Sequence, residues 1–188
     1  MRVFIAVLIL IFSLQSLSKA DDIRDFQIEG MSIGDSLLDF YTIDKINSAT
    51  KDYYPKSKKY YGLTFIEKTT IYDGLKFSVL NKDKKFIIQS IQGRLQFEDI
   101  KKCLKKKKSI VNEISSSFNV IKTTNHEVKY PQYINSRSII TELDIDGGRI
   151  RVYCDDLSTE MREQGYMPSL AVDISPHLFL VWLNLKAY

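Results

Sequence analysis

The feature that most constrains the fold of this chain is a pair of consecutive glycines, Gly147 and Gly148, between two segments of alternating apolar and polar residues. Alternation with a period of two is typical of half-buried β-strands. Here it covers residues 139–145 and 150–154. Two glycines between such segments indicate a tight hairpin, because both central positions of a two-residue loop need positive φ. The sequence therefore predicts two antiparallel strands joined by a Gly-Gly loop.

The register of this hairpin follows from its loop. A loop made of the two glycines places Thr141 opposite Cys154 on the apolar side, and Asp144 opposite Arg151 on the other side. Opposite charges then face each other across the strands, which favours this pairing. The register predicts that Cys154 points into the core.

Residues 98–118 have the strongest helical pattern in the chain. Apolar residues recur on one side at helical spacing: Ile100, Leu104, Val111, Ile114 and Phe118. Cys103 lies at the edge of this stripe, so we expect it to point toward the core. Lys107 interrupts the stripe, and we expect its stem to cover apolar surface while its ammonium reaches water.

The first twenty residues have the three parts of a secretory signal peptide. Arg2 supplies a positive charge, residues 3–14 are apolar apart from one serine, and residues 18–20 place small side chains at a cleavage site after Ala20. The apolar run is shorter than the roughly 20 residues that a membrane-spanning helix needs. We therefore predict an exported protein, periplasmic or secreted, with an uncleaved membrane anchor as the competing interpretation.

Export changes the interpretation of Cys103 and Cys154, the only two cysteines of the chain. A lone pair of cysteines in an oxidising compartment is most simply a structural disulfide. We therefore predict that a Cys103–Cys154 bridge joins the 98–118 helix to the second strand of the hairpin.

Two further segments extend the predicted sheet. Turn-forming residues at 81–84 separate two alternating segments and predict a second hairpin, with Val79 opposite Phe86. Residues 178–185 are almost wholly apolar. Such a run is typical of a central strand that is covered on both faces.

The fold class follows from these elements. Ser32 and Thr42 are predicted to cap two short helices near the N-terminus. The chain is predicted to be α+β, with two layers: an antiparallel sheet of about six strands and the 98–118 helix packed across it. Residues 21–188 form one domain in this interpretation, since they suffice for a single core.

Charge bears on the class of partner. The formal net charge of the whole chain is +4, and removal of Arg2 and Lys19 with the signal peptide lowers it to +2. A nearly neutral domain argues against a dedicated nucleic-acid-binding protein. The expected partner is therefore a protein or ligand in the cell envelope or exterior, with membrane contact limited to the surface.

The sequence contains few groups that could perform catalysis. Asp155 and Asp156, with Glu160 nearby, form an acidic cluster that is suited either to acid–base chemistry or to capping a helix. His126 lies in a polar segment predicted as a loop, and His177 follows a proline in a predicted turn. No motif predicts a metal site or a cofactor. A hydrolase using Asp155, Asp156 or His177 is one alternative function.

A lysine-rich run within the 98–118 helix suggests another alternative. Its members, apart from the Lys107 of the apolar stripe, are Lys101, Lys102, Lys105, Lys106 and Lys108. On a helix they would form either an ordinary solvated face or a surface that attracts anionic lipid or polymer. The leading hypothesis remains a non-enzymatic, exported binding or accessory module.

Two resemblances support an envelope or exterior location. The segments 72–74, 81–88, 91–93 and 103–107 resemble a pattern in small exported proteins of AT-rich bacteria. That resemblance implies export and a disulfide, and no mechanism. Residues 28–35, which contain Gly-Met-Ser, are similar to the helix start of the BamE/SmpA-like envelope proteins. Those proteins have a two-layer helix-on-sheet fold and act as accessory or binding modules. The similarity implies an envelope location only, since the match is one short motif and the chain lacks their lipidated cysteine.

Overall fold

One antiparallel sheet dominates the computed structural model, which describes residues 22–131, 133 and 135–188. Its strands are β1 (Thr50–Tyr53), β2 (Tyr60–Phe65), β3 (Gly74–Leu80), β4 (Ile88–Gln96), β5 (Lys122–Lys129), β6 (Arg137–Ile145), β7 (Gly148–Asp156) and β8 (Ser169–Pro176). The predicted signal peptide, residues 1–20, and its cleavage site lie outside the described residues.

Among residues 22–131, 133 and 135–188, four α-helices connect or cover these strands. They are α1 (Ile43–Ser48), α2 (Ile100–Ser117), α3 (Thr159–Glu163) and α4 (His177–Trp182). A π-helical turn, Leu183–Ala187, continues from α4. Within the part of the chain that the structure describes, no helix is long and apolar enough to cross a membrane.

The strand order is β1-β2-β3-β4-β8-β7-β6-β5, so β4 and β8 lie in the middle. Every neighbouring pair is antiparallel. Because successive side chains of a strand point to opposite faces, Leu170, Val172 and Ile174 of β8 lie on one face and Ala171 and Asp173 on the other. We call the first the helix face, since it forms the core with α2, and the second the polar face.

The chain is α+β, but the architecture predicted from the sequence is wrong. The sheet has eight strands rather than about six, and helices lie on both of its faces. The two edge strands escaped prediction because β1 and β5 are polar and largely exposed. An edge strand can keep both faces in water, so it lacks the apolar alternation from which strands are predicted.

The C-terminal segment is helical, so the predicted central strand at residues 178–185 is also wrong. Phe179 and Trp182 are three positions apart in α4 and pack with Tyr60 against the polar face of the sheet. Leu178, Val181 and Leu185 of the segment are exposed. A continuous apolar run carries no periodicity, and therefore does not separate strand from helix.

The β6–β7 hairpin has a loop of Asp146 and Gly147 rather than two glycines. Thr141 consequently lies opposite Val152 and not opposite Cys154, so the predicted register is wrong by two residues. A shift by an even number of residues keeps every side chain on its face. Cys154 therefore still points into the core, where it is fully buried.

Gly148 serves a different purpose from the one predicted. Of the two consecutive glycines, Gly147 has positive φ, at 76°, and Gly148 does not. Gly148 begins β7 opposite Pro176, and a Cβ atom there would lie 2.6 Å from the backbone oxygen of Ser175. The second glycine is required by the close approach of β8 and not by the turn.

The β3–β4 hairpin is also shifted by two residues at its closed end. Val79 lies opposite Ile88 rather than opposite Phe86. The carboxylate of Asp83 accepts two backbone N–H groups and holds the connection in a longer turn. Phe86 lies within that turn, with a φ of 49°.

Near the N-terminus, one of the two predicted caps forms a helix. The Thr42 side chain accepts a hydrogen bond from a backbone N–H at the start of α1. The helix predicted after Ser32 is absent, and a single 3-10 turn, Leu37–Asp39, takes its place. Gly34 has a φ of 97°, which interrupts a right-handed helix.

Candidate functional site

The disulfide lies where α2 crosses the sheet. Cys103 of α2 and Cys154 of β7 form the bridge, with their Cα atoms 6.1 Å apart and both side chains fully buried. Asp99 begins the helix by accepting the backbone N–H of Lys101. The bridge therefore ties the first turns of the helix to a central part of the sheet.

The lysine-rich run divides into an exposed set and one buried member. The predicted anionic-surface residues are all exposed: Lys101, Lys102, Lys105, Lys106 and Lys108. At about 100° per residue they cover an arc of about 160° on the side away from Cys103. Lys102 forms an exposed ion pair with Glu98 at 3.1 Å. The arrangement is an amphipathic helix with a cationic outer surface.

The expectation that the Lys107 ammonium reaches water is wrong. The residue is only 9% exposed, and its Nζ donates to Thr141 Oγ1 at 2.6 Å. Thr141 in turn donates to Asn125. Burial lowers the pKa of Lys107, because the charged form loses its water. The amine lies between helix and sheet and is inaccessible to an anionic surface.

The predicted acidic and histidine candidates do not come together. Asp155 and Asp156 are neighbours at the end of β7, so their side chains point to opposite faces. His177 begins α4 beyond the other end of β8, eight residues past the partner of Asp155, which places it about 26 Å from Asp155 along the strands. His126 lies exposed on β5. The acidic pair also does not cap α3, because Ser158 does so.

Asp155 instead belongs to a network of polar side chains on the polar face. It is 5% exposed and accepts hydrogen bonds from Arg94 at 3.0 Å, Ser169 at 3.2 Å, Tyr130 at 2.8 Å, and also from Ser138. Four donors satisfy the buried carboxylate, which makes its burial tolerable. The carboxylate is therefore a structural hub that fixes the position of its neighbours.

A straight row of polar side chains crosses the centre of the same face. Register pairs join its members in order across six strands: Thr64, Lys76, Gln92, Asp173, Arg151 and Glu142. Charges of opposite sign alternate along this row, and such directly opposed pairs stabilise a sheet. The row gives the polar face a fixed pattern of charge.

The middle of the row is tightly bonded. Asp173 accepts from Arg151 at 2.9 Å and from Ser175 at 2.8 Å, and Gln92 donates to the Tyr153 hydroxyl at 2.9 Å. The charge of Asp173 raises the pKa of Arg151. The Nε of Arg151 is buried without a hydrogen-bond partner among the described residues. One donor of this cluster is therefore left unused by the protein.

Arg94 and Tyr153 lie in the next row of the polar face, one on each side of Ala171. Burial raises the pKa of Tyr153 to about 12, which keeps its hydroxyl neutral at physiological pH. Burial alone would lower the pKa of Arg94, but the nearby Tyr153 and Asp155 raise it above its ordinary value. Arg94 therefore remains a permanent cation within a hydrogen-bonding surface.

Arg94 also opens onto a pocket of about 390 Å³. The polar-face side chains along its wall come from three adjacent strands: Thr64, Lys76, Gln92, Arg94 and Gln96. Its volume falls in the range of small-molecule sites. Polar groups from three strands line it, with the guanidinium of Arg94 among them and Lys76 bonded to Asp52 on β1, and they make it a candidate binding site in the described part of the chain.

This site was not predicted from the sequence. Gln92, Arg94 and Gln96 alternate with apolar residues along β4, and Asp173 interrupts the apolar run of β8. That alternation was the available signal, but polar residues on one face of a strand are also typical of a solvated sheet. The strand order, which brings β4, β8 and β7 together, could not be deduced from local pattern.

Comparisons with known proteins add no assignment: no family model, no curated protein and no solved structure matches this chain. The resemblance of residues 28–35 to the BamE/SmpA-like proteins therefore stays a prediction. In the structure these residues form a tight turn with Ile28 and Met31 bridged, and Asp35 accepts the backbone N–H of Ser32.

Proposed function

We propose that this chain is an exported, non-enzymatic module that binds a ligand or partner in the cell envelope or exterior through the polar face of its sheet. The observation that carries the proposal is the pocket beside Arg94, whose guanidinium is held in place by the buried carboxylate of Asp155. Side chains fixed before binding lose little entropy when a ligand arrives. A rigid polar surface of this kind suits recognition.

Export is supported by two features. The predicted signal peptide at residues 1–20 directs a chain out of the cytoplasm. The Cys103–Cys154 disulfide belongs to a class of bond that persists in oxidising compartments. N-terminal sequencing of protein recovered from the periplasm or medium is expected to begin at Asp21. Recovery of the chain in the cytoplasm with Met1 retained would contradict export.

Binding at the polar face can be tested by site-specific photo-cross-linking in the cells that make the protein. A photoreactive residue at Gln96 would sit on the exposed rim of the pocket. The same residue at Ser116, on the outer side of α2, and at Thr123, an exposed edge-strand position opposite the helix-face residue Leu143, provides matched exposed controls. We expect adducts at position 96 above the yield at position 123. Equal or absent labelling at 96 and 123 would contradict the proposal.

A second candidate function is peripheral association with an anionic surface through α2. Its specific support is the arc of exposed lysines opposite the buried side of the helix. Each lysine near an anionic membrane contributes roughly 1 kcal/mol, and salt screens the attraction. This candidate predicts lipid adducts at Ser116 in the cross-linking experiment rather than at Gln96.

Sedimentation with vesicles tests the second candidate directly. Binding is expected to vesicles that contain phosphatidylglycerol and not to phosphatidylcholine alone, and it should vanish in about 1 M salt, where the Debye length is about 3 Å. Changing the five exposed lysines to glutamine should abolish it. Binding that persists in high salt, or in that variant, would remove this candidate.

A further inference from the structure

The guanidinium of Arg94 has donors that the protein leaves unused. Within the described part of the chain, both of its hydrogen bonds run from Nη1, to Asp155 at 3.0 Å and to Ser169 at 2.7 Å. A guanidinium has five N–H donors. Its Nε and Nη2 groups therefore remain available on the side of the pocket, where 43% of the side chain is exposed.

The positive charge of Arg94 is also only partly neutralised by Asp155. Asp155 shares its negative charge with hydrogen bonds from Ser169, Tyr130 and Ser138. Arg94 is therefore one of four donors to this carboxylate and not its sole partner. A second anion can bind to the open side of the guanidinium without displacing Asp155.

Lys76 supplies a second cation at a suitable spacing. Gly74 lies opposite Arg94, and Lys76 is two residues further along β3, so Lys76 and Arg94 are diagonal neighbours on one face. Diagonal neighbours lie about 7–8 Å apart, within reach of long side chains. Since Gly74 has no side chain, the position on β3 directly opposite Arg94 is open.

The existing partner of Lys76 is easily exchanged. Its Nζ contacts Asp52 at 2.9 Å, but both side chains are more than 40% exposed. Exposed ion pairs contribute little free energy. The acidic residue on the pocket rim, Asp73, already accepts the backbone N–H of Gln96 at 2.8 Å. The open donors of Arg94 are therefore the cationic group that the pocket already holds, and Lys76 joins them when it leaves Asp52 of β1 and turns toward β4.

We propose that this pocket binds a small, hydroxylated ligand through one anionic oxygen group, a carboxylate or a phosphate, held between Arg94 and Lys76. The hydroxyl and amide groups of Thr64, Gln92 and Gln96 then contact the hydroxyl groups of the ligand. Acidic sugars and sugar phosphates are the chemical class that fits. This inference rests on the proposed function, since it names the ligand of the polar face.

Calorimetric titration of the mature protein with three probes tests the inference. We expect glucuronate or glucose 6-phosphate to bind and uncharged glucose not to bind. Arg94→Gln should weaken binding of the anionic probe about 10- to 100-fold, the range for losing a hydrogen bond to a charged group. Lys76→Gln should weaken it about 2- to 5-fold, as expected for an exposed contact.

Arg137→Gln is the matched control. Arg137 is an equally exposed strand arginine, with ion pairs to Glu127 and Asp156 outside the pocket. It should leave the affinity unchanged. If Arg94→Gln fails to fold, Lys76→Gln carries the test, because its ion pair is exposed on both sides. Absence of binding by both anionic probes, or equal affinity in the Lys76 and Arg94 variants, would overturn the inference.

The inference and the proposed function can fail separately. If cross-linking at Gln96 captures a ligand with the same yield in the Arg94→Gln protein, the polar face binds a partner without an anionic group, and only the inference is lost. If no adduct forms at Gln96 in the native protein, the proposed function is lost as well.

Discussion

Reduction of the Cys103–Cys154 disulfide is expected to lower the free energy of unfolding by about 4 kcal/mol. The bridge closes a loop of 51 residues. In the chain-entropy model, a loop of this length restricts the unfolded ensemble by about 14 cal/mol/K, which is about 4 kcal/mol at room temperature. The apolar contacts of α2 persist after reduction, so we expect a folded but less stable protein.

Urea denaturation with and without reductant measures this change. Trp182 is the only tryptophan, and it lies in the C-terminal cluster, apart from the core that holds the disulfide. Its fluorescence reports loss of that cluster, and a coincident change in far-UV circular dichroism identifies the transition as global unfolding. With a denaturant slope of about 2 kcal/mol/M, the midpoint should fall by about 2 M.

A double Cys103→Ala, Cys154→Ala variant is the control. Its midpoint should lie near that of the reduced protein and should not respond to reductant. A reduced protein with the midpoint of the oxidised one, or two free thiols in the exported protein by mass mapping, would refute the reasoning.

Three substitutions test other parts of the structure by the same urea assay. Lys107→Met should raise the free energy of unfolding by about 1 kcal/mol at pH 7, since it removes a buried ammonium that the described residues contact through one hydrogen bond, to Thr141. Burial lowers the pKa of Lys107 in the folded protein. Between that lowered value and the ordinary value of 10.5, the unfolded chain therefore holds more protons at Lys107 than the folded protein does. The wild-type protein should therefore gain stability as pH rises toward 10.5, and its difference from Lys107→Met should shrink. Gly148→Ala should cost about 2 kcal/mol, because its Cβ would meet the Ser175 backbone oxygen at 2.6 Å. Gly165→Ala, at a φ of 90° with open space around it, should cost about 1 kcal/mol. Equal costs at the two glycines would contradict the close approach of β8.

The sequence was sufficient where a side-chain pattern had only one physical solution. Cys154 had to face the core in either register of the hairpin, because the two registers differ by two residues. Cys103 lay on the apolar edge of a helix that could bury only one side. The disulfide could be predicted from these two positions, although the register of the β6–β7 hairpin could not.

The sequence was insufficient where tertiary packing decided between local alternatives. The apolar run at residues 178–185 suits a strand or a buried helix equally well, and packing of Phe179 and Trp182 on Tyr60 selects the helix. Tertiary packing also decides the environment of Lys107. A lysine on an apolar stripe usually extends to water, but here Thr141 accepts its hydrogen bond from beneath.

The candidate site depended on strand order, which no local pattern encodes. Arg94, Asp155 and Ser169 belong to three strands that meet only because β8 inserts between β4 and β7. Asp155 was considered as a catalytic group or a helix cap because its partners, such as Tyr130 and Arg94, are 25 and 61 residues away in the chain. Contacts at such separations require the folded sheet.

The photo-cross-linking yield at Gln96 in whole cells, with and without Arg94→Gln, tests the central claim most directly. The account predicts an adduct of defined mass on the exported protein that is lost with Arg94→Gln and retained with Arg137→Gln. A yield at position 96 no higher than at Thr123, the exposed control on the other face of the edge strand, would contradict the claim that the polar face is the binding surface.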